Sequence, residues 1–118
     1  MITADKIISI VSDHFHMDSS LLGIRSRGTT LVMPRHLAMY FCRYYTHLSF
    51  SDIGNYFNRN HDTVIHAIKS VNNQCDTDKD YKRTFDDIER MVKYEKESIT
   101  HLEKMMVEEV YQENDFYE

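Results

Sequence analysis

Residues 49–73 read SFSDIGNYFNRNHDTVIHAIKSVNN, and this stretch decides the fold. Ser49 through Asp52 offer a capped helix start. Ile53, Tyr56 and Phe57 then carry one apolar face. Asn58, Arg59 and Asn60 make a short polar turn. A second helix follows from about His61 to Asn73, with Val64, Ala67, Ile68 and Val71 recurring at the spacing of a buried stripe. Two short helices joined by about three residues, with Gly54 allowing close packing, predict a helix-turn-helix. The second helix of the pair presents His61, Asp62, Ile65, His66 and Lys69 outward. Many all-α proteins that touch no nucleic acid share this arrangement, so the pattern alone does not decide for DNA.

The flanking segments are helical too. Thr3 is a plausible N-cap, and Ile7, Ile8, Val11 and Phe15 follow on one face. Residues 17–29 break that period with Gly23, Gly28, several Ser/Thr, and the pair Arg25 and Arg27. They are expected to form a short helical turn over Ser19–Leu22 and then an irregular loop. A helix is expected from near Thr30 to Thr46, with Pro34 in its first turn, where a missing N–H costs nothing. Leu37, Ala38, Phe41 and Tyr45 should form its inner face. The aromatic run Tyr40, Phe41, Tyr44, Tyr45 fits helix packing better than a platform for stacked bases. After Cys75, a polar loop over 76–80 should lead into a long helix from Tyr81 to Gln112. Its residues Phe85, Ile88, Val92, Ile99, Leu102 and Met106 keep a three-and-four step, broken only at Glu95. A heptad-like stripe of this kind suggests self-association, a homodimer through the C-terminal helix; docking of the helix on its own core explains it equally well.

Charge is divided along the chain. The 118 residues carry a net charge of −5, which taken whole speaks against a nucleic-acid binder. Residues 1–75 hold seven Lys/Arg and five acids, whereas residues 76–118 hold seven Lys/Arg and fourteen acids. Between Leu21 and Cys75 six bases face only two acids, so the middle of the chain is basic and the acidity belongs to the last third. One Pro and three Gly leave too few turn signals for a many-stranded sandwich or barrel. No apolar run is long enough to span a bilayer, so no membrane association is expected. The N-terminus lacks the pattern of a secretory signal, and two cysteines without a CxxC pair fit a reducing cytoplasm, the expected location.

The segment from Ile53 to Ala67, IGNYFNRNHDTVIHA, closely resembles the C-terminal DNA-binding domain of the chromosomal replication initiator DnaA, whose pattern runs roughly IG..F..RDHTTV.HA. Arg25–Ser26–Arg27 and the stretch from Pro34 to Tyr40 are similar to the family's basic loop and its PRQ-A-M helix. Together the match covers about residues 3–95. It implies an all-α, TrpR-like helical bundle containing a helix-turn-helix over residues 1–95, with 96–118 as an acidic helical extension. It also implies sequence-specific binding of double-stranded DNA at a DnaA-box-like site, in the regulation of replication initiation or transcription.

The implied contacts follow position by position. Arg27, with Arg25 beside it, falls where the family inserts a basic side chain into the minor groove, where a narrow groove concentrates negative potential. Asn60, His61, Asp62 and Thr63 fall on the motif that enters the major groove, with His66 on the same outward face. Arg43 and Lys69 match basic positions that approach phosphates; Arg35 and Arg59 are further basic candidates, and such contacts position without reading sequence. Two departures stand out. Asn60 replaces an acid and can pair with adenine; Asp62 replaces Thr or Ser, and can accept from cytosine N4 but repels phosphates. Thr29 and Met33 replace common basic residues, so weak or salt-sensitive binding is expected.

No GxxxxGK[ST] loop occurs, so no nucleotide and no ATPase chemistry are expected. The chain reads as the DNA-binding domain standing alone. A metal is not expected either, since His14 and His16 on a helix end would point about 200° apart. No cofactor and no enzyme activity are implied. A second reading stays open: an interaction module that kept the fold, with Asp62 and the acidic tail having cost it, or now blocking, its DNA role.

Overall fold

The structure, a computed structural model, describes the backbone of residues 1–24 and 29–115 and the side chains of residues 1–24 and 30–108. It is all-helical: α1 (Ala4–His14), a 3₁₀ turn (Ser19–Gly23), α2 (Thr29–Tyr45), α3 (Phe50–Phe57), α4 (His61–Thr77) and α5 (Lys79–Asp115). The basic loop holding Arg25 and Arg27 lies outside the described residues.

Each start has a chemical cause. Thr3 accepts a hydrogen bond from the Lys6 amide and caps α1. Ser49 and Asp52 form a reciprocal capping box on α3, the side chain of each taking the other's amide. Asn60 caps α4, its Oδ1 accepting from the Thr63 amide at 2.9 Å. Asp78 alone separates α4 from α5. Its amide bonds to the Gln74 carbonyl, and its carboxylate accepts the amides of Asp80 and Tyr81. The expected loop over 76–80 is therefore a single residue. A cluster of aspartates looks like a loop, but aspartate is also a preferred helix cap.

α2 begins one residue earlier than expected, which places Pro34 in the second turn, inside the helix. Pro34 has no N–H to offer the Thr30 carbonyl, the usual consequence of an interior proline. α2 is nonetheless the centre of the core: Leu37, Ala38, Met39, Phe41 and Cys42 are all fully buried. Around it pack Ile7 and Val11 of α1, Ile53 and Phe57 of α3, Val64 and Val71 of α4, and Phe85, Ile88 and Val92 of α5. The rings of Phe41 and Phe85 lie 5.1 Å apart, and Tyr40 meets Phe85 edge-on at the same distance. The aromatic run of α2 is thus mostly packing, although Tyr44 faces solvent.

The apolar pattern locates the core except at two places. Tyr56 completes the expected face of α3 but is 44% exposed. On α5 burial stops with Val92 and the half-buried Ile99; Leu102 and Met106, in phase with them, are exposed. Phase alone could not reveal this, because α5 continues beyond the body that covers its first half. Glu95, the gap in the stripe, pairs with Lys6 of α1 at 3.5 Å, and the N-terminal ammonium meets Glu103. Among the described residues, no α5 acid pairs with the helix-turn-helix. The helix runs unbroken through residues 95 and 96.

Candidate nucleic-acid interface

α3 and α4 meet at a tight corner. Asn58 adopts the left-handed conformation (φ 55°, ψ 43°), which ends α3, and the Arg59 amide bonds back to the Gly54 carbonyl at 2.9 Å. Asparagine tolerates that conformation better than most residues. Gly54 is there because nothing larger fits: a Cβ would lie 2.3 Å from the Arg59 carbonyl oxygen. The corner turns the first residues of α4 toward solvent.

The outward face of α4 carries His61, Asp62, His66 and Lys69, all exposed, with Ile65 half-buried among them. His61 Nε2 lies 3.2 Å from Asp62 Oδ1, so two side chains assigned to base reading pair with each other here. Thr63 is half-buried, and its hydroxyl, like its amide, donates to Asn60 Oδ1. Asn60 is therefore the helix cap as well as a candidate base contact. The acid this position holds in the matching pattern would serve the same cap, so the exchange for Asn preserves it. The cap preference of Asn before a helix was the signal that could have revealed this role.

Arg43 is exposed at the corner between α2 and α3. Its guanidinium lies 4.1 Å from the centroid of the Phe50 ring and donates to the Leu48 carbonyl at 3.3 Å. Stacked in this way, it keeps an outer edge for a phosphate. Lys69 projects from α4, and no ion pair among the described residues involves it.

The other two basic candidates are turned inward. Arg35 is 5% exposed, with Nε donating to the Leu22 carbonyl and Nη2 to the Ile24 carbonyl, both at 2.9 Å. Burial, with the charge of Arg59 adding to it, lowers its pKa from the ordinary guanidinium value. Arg59, half-buried, donates to the carbonyls of Phe57, Asn58 and Ile24. The expectation that Arg35 displays its charge to phosphates is thereby corrected: a basic residue in a basic segment suggests surface, but this one satisfies buried carbonyls. His36 beside it has a buried, unpartnered Nδ1, and burial first, then Arg35, hold its pKa below the ordinary imidazole value. A neutral His36 adds no third cation to the cluster. Burial also pushes the Cys42 thiol up to about 12, which makes it a core side chain and no nucleophile.

This corner, with the helices that precede it, matches the model of the bacterial DnaA protein helix-turn-helix over residues 4–71. The chain belongs to the bacterial DnaA helix-turn-helix family. Its relatives include the chromosomal replication initiator protein DnaA of Bacteroides fragilis, 39% identical over 93 residues, which are 78% of this chain and 20% of that protein. The DnaA proteins of Flavobacterium psychrophilum and Citrifermentans bemidjiense are 40% and 38% identical over 90 residues, covering 75% of this chain and about a fifth of each relative. The chain thus spans about a fifth of the length of the curated DnaA proteins it matches. The shared part is the non-catalytic, DNA-binding module, and the 118 residues contain no phosphate-binding GxxxxGK[ST] motif. The family model ends at residue 71, before α5 begins at Lys79. Among the described residues, no helix is long and apolar enough to cross a membrane.

Proposed function

We propose that this chain binds double-stranded DNA sequence-specifically at a DnaA-box-like site, in the cytoplasm, as a regulator of replication initiation or transcription. The observation that carries this reading is α4, whose capped first turn presents His61 and Asp62 to solvent, with His66 and Lys69 further along the same face of a DnaA-family corner. In this reading that turn enters the major groove, Arg25 and Arg27 reach the minor groove, and Arg43 and Lys69 meet phosphates. Residues 1–95 are the binding domain and 96–118 an extension of it.

Fluorescence anisotropy with a DnaA-box duplex and a scrambled duplex tests this at about 50 and 200 mM salt, a range over which phosphate contacts weaken steeply. The box is expected to be preferred. Lys69→Ala should lower affinity for both duplexes and reduce the salt slope by about one. Arg27→Ala should weaken binding, and His61→Ala should shrink the preference between the duplexes. Equal, negligible binding to both at low salt would end the reading and leave the interaction module, which the exposed Asp62 carboxylate would then explain.

For α5 we propose a homodimer. Leu102, Met105, Met106 and Val107 are 45–66% exposed and cluster within six residues of one helix. Sedimentation of the full chain is expected to give a dimer that Leu102→Glu with Met106→Glu converts to monomer. A monomer for the native chain at about 100 μM, well above the dissociation constants of specific dimers, would dismiss it.

A further inference from the structure

Three consecutive carbonyls, those of Leu22, Gly23 and Ile24, are each taken by a side chain from elsewhere in the fold. Arg35 of α2 holds Leu22 and Ile24; Asn58 Nδ2 holds Gly23 at 3.0 Å; Arg59 Nη2 holds Ile24 at 2.9 Å. Asn58 and Arg59 are the turn between α3 and α4. Arg59 also grips that turn from within, through the carbonyls of Phe57 and Asn58 at 3.0 and 3.2 Å. Ile24 therefore accepts from two guanidiniums, one rooted in α2 and one in the turn.

We infer that Arg59 is a positioning residue for the recognition helix, tying the turn that aims α4 to the 22–24 segment, and not a phosphate contact. The inference rests on the DNA-binding reading for its consequence but on the carbonyl geometry for its cause. A guanidinium that commits three of its five N–H donors to three carbonyls presents a fixed fork, and its worth lies in the direction of those N–H groups rather than in net charge. A phosphate contact works the other way round, since a lysine serves it nearly as well. The turn leads directly to the Asn60 cap, so movement at Arg59 shifts His61 and Asp62, the side chains nearest the bases.

Arg59→Gln and Arg59→Lys, set beside Lys69→Ala, test this. Both Arg59 variants are expected to weaken box binding about tenfold, the loss of roughly one charge-assisted hydrogen bond, while the salt slope stays at the native value. Lysine should not rescue. A slope reduced by about one in Arg59→Gln and restored in Arg59→Lys would make Arg59 a phosphate contact and overturn the inference. Amide exchange in the DNA-free chain gives an independent readout. Leu21 and Ile24, and Thr63 and Val64, should exchange about tenfold faster in both Arg59 variants. Lys69→Ala should change none of them, and the core amides of α2 should stay protected, reporting an intact fold. Unchanged exchange in the Arg59 variants overturns the inference whatever DNA does. If the native chain binds neither duplex, the DNA reading falls, and exchange alone decides whether Arg59 holds the turn.

Discussion

Gly54→Ala is expected to destabilise the chain by about 3 kcal/mol, the upper part of the usual range for overpacking. The reason is the identity of the atoms it meets. The new methyl would sit 2.3 Å from the Arg59 carbonyl oxygen, 3.2 Å from the Arg59 carbonyl carbon and 3.4 Å from that of Asn60. All three are backbone, so no side chain can swing aside. Relief requires α3 to withdraw from the turn, which breaks the bond from the Arg59 amide to the Gly54 carbonyl and tilts α4. At about 4 °C per kcal/mol for a domain of this size, the melting temperature should fall by about 12 °C. Asn55→Ala, on the exposed side of the same helix, should stay within about 0.5 kcal/mol of native. Thermal melts followed by circular dichroism check both; equal melting temperatures for Gly54→Ala and Asn55→Ala would show that the helices do not approach this closely.

The second large effect is expected from Arg35→Met, at about 3 kcal/mol. Methionine replaces the aliphatic stem and keeps the site apolar, so the loss isolates the guanidinium. The charge-assisted hydrogen bonds to the Leu22 and Ile24 carbonyls disappear, each worth about 1.5–3 kcal/mol, and the Leu22 carbonyl loses this donor. Ile24 retains Arg59, which keeps the total below the sum of the two bonds. Arg35→Lys should recover little, because a single ammonium cannot span two carbonyls. Urea unfolding provides the check: the midpoint should drop while its slope stays constant, since the surface exposed on unfolding is unchanged. A side chain serving only phosphates would leave the midpoint near native.

These two residues mark the boundary between what sequence conveys and what it withholds. The corner was legible because its causes are local. Ser49 and Asp52, three residues apart, cap α3, and Val64, Ala67, Ile68 and Val71 repeat at the period of one face. Gly54 was legible as a close approach. The outward set on α4 followed from the same period, and the structure places His61, Asp62, His66 and Lys69 together there.

Arg35 and Arg59 were not legible, and the reason is physical. The carbonyls that Arg35 holds lie 13 and 11 residues away, and the Ile24 carbonyl that Arg59 reaches lies 35 away; all are backbone groups, which every residue has. No side-chain pattern announces such a bond, so a basic residue in a basic segment is read as surface. The family resemblance strengthens that bias, since it marks the region as DNA-binding without separating the arginines that touch DNA from those that hold its frame. The exposed half of α5 was hidden for a different cause. Periodicity reports which residues share a face, whereas burial depends on whether anything covers it, and the body of the domain ends near Ile99.

The junction at Asp78 has a consequence for how paired sites on DNA would be arranged. With one residue between α4 and α5, and α5 unbroken to Asp115, the recognition helix and a rod about 55 Å long share a fixed relative angle. Anything that grips the far end of the rod inherits that angle. Two chains joined there would hold two recognition helices at one set separation and one set rotation. Such a pair would favour boxes in matching helical phase, spaced by multiples of about 10.5 base pairs, over the same boxes displaced by half a turn.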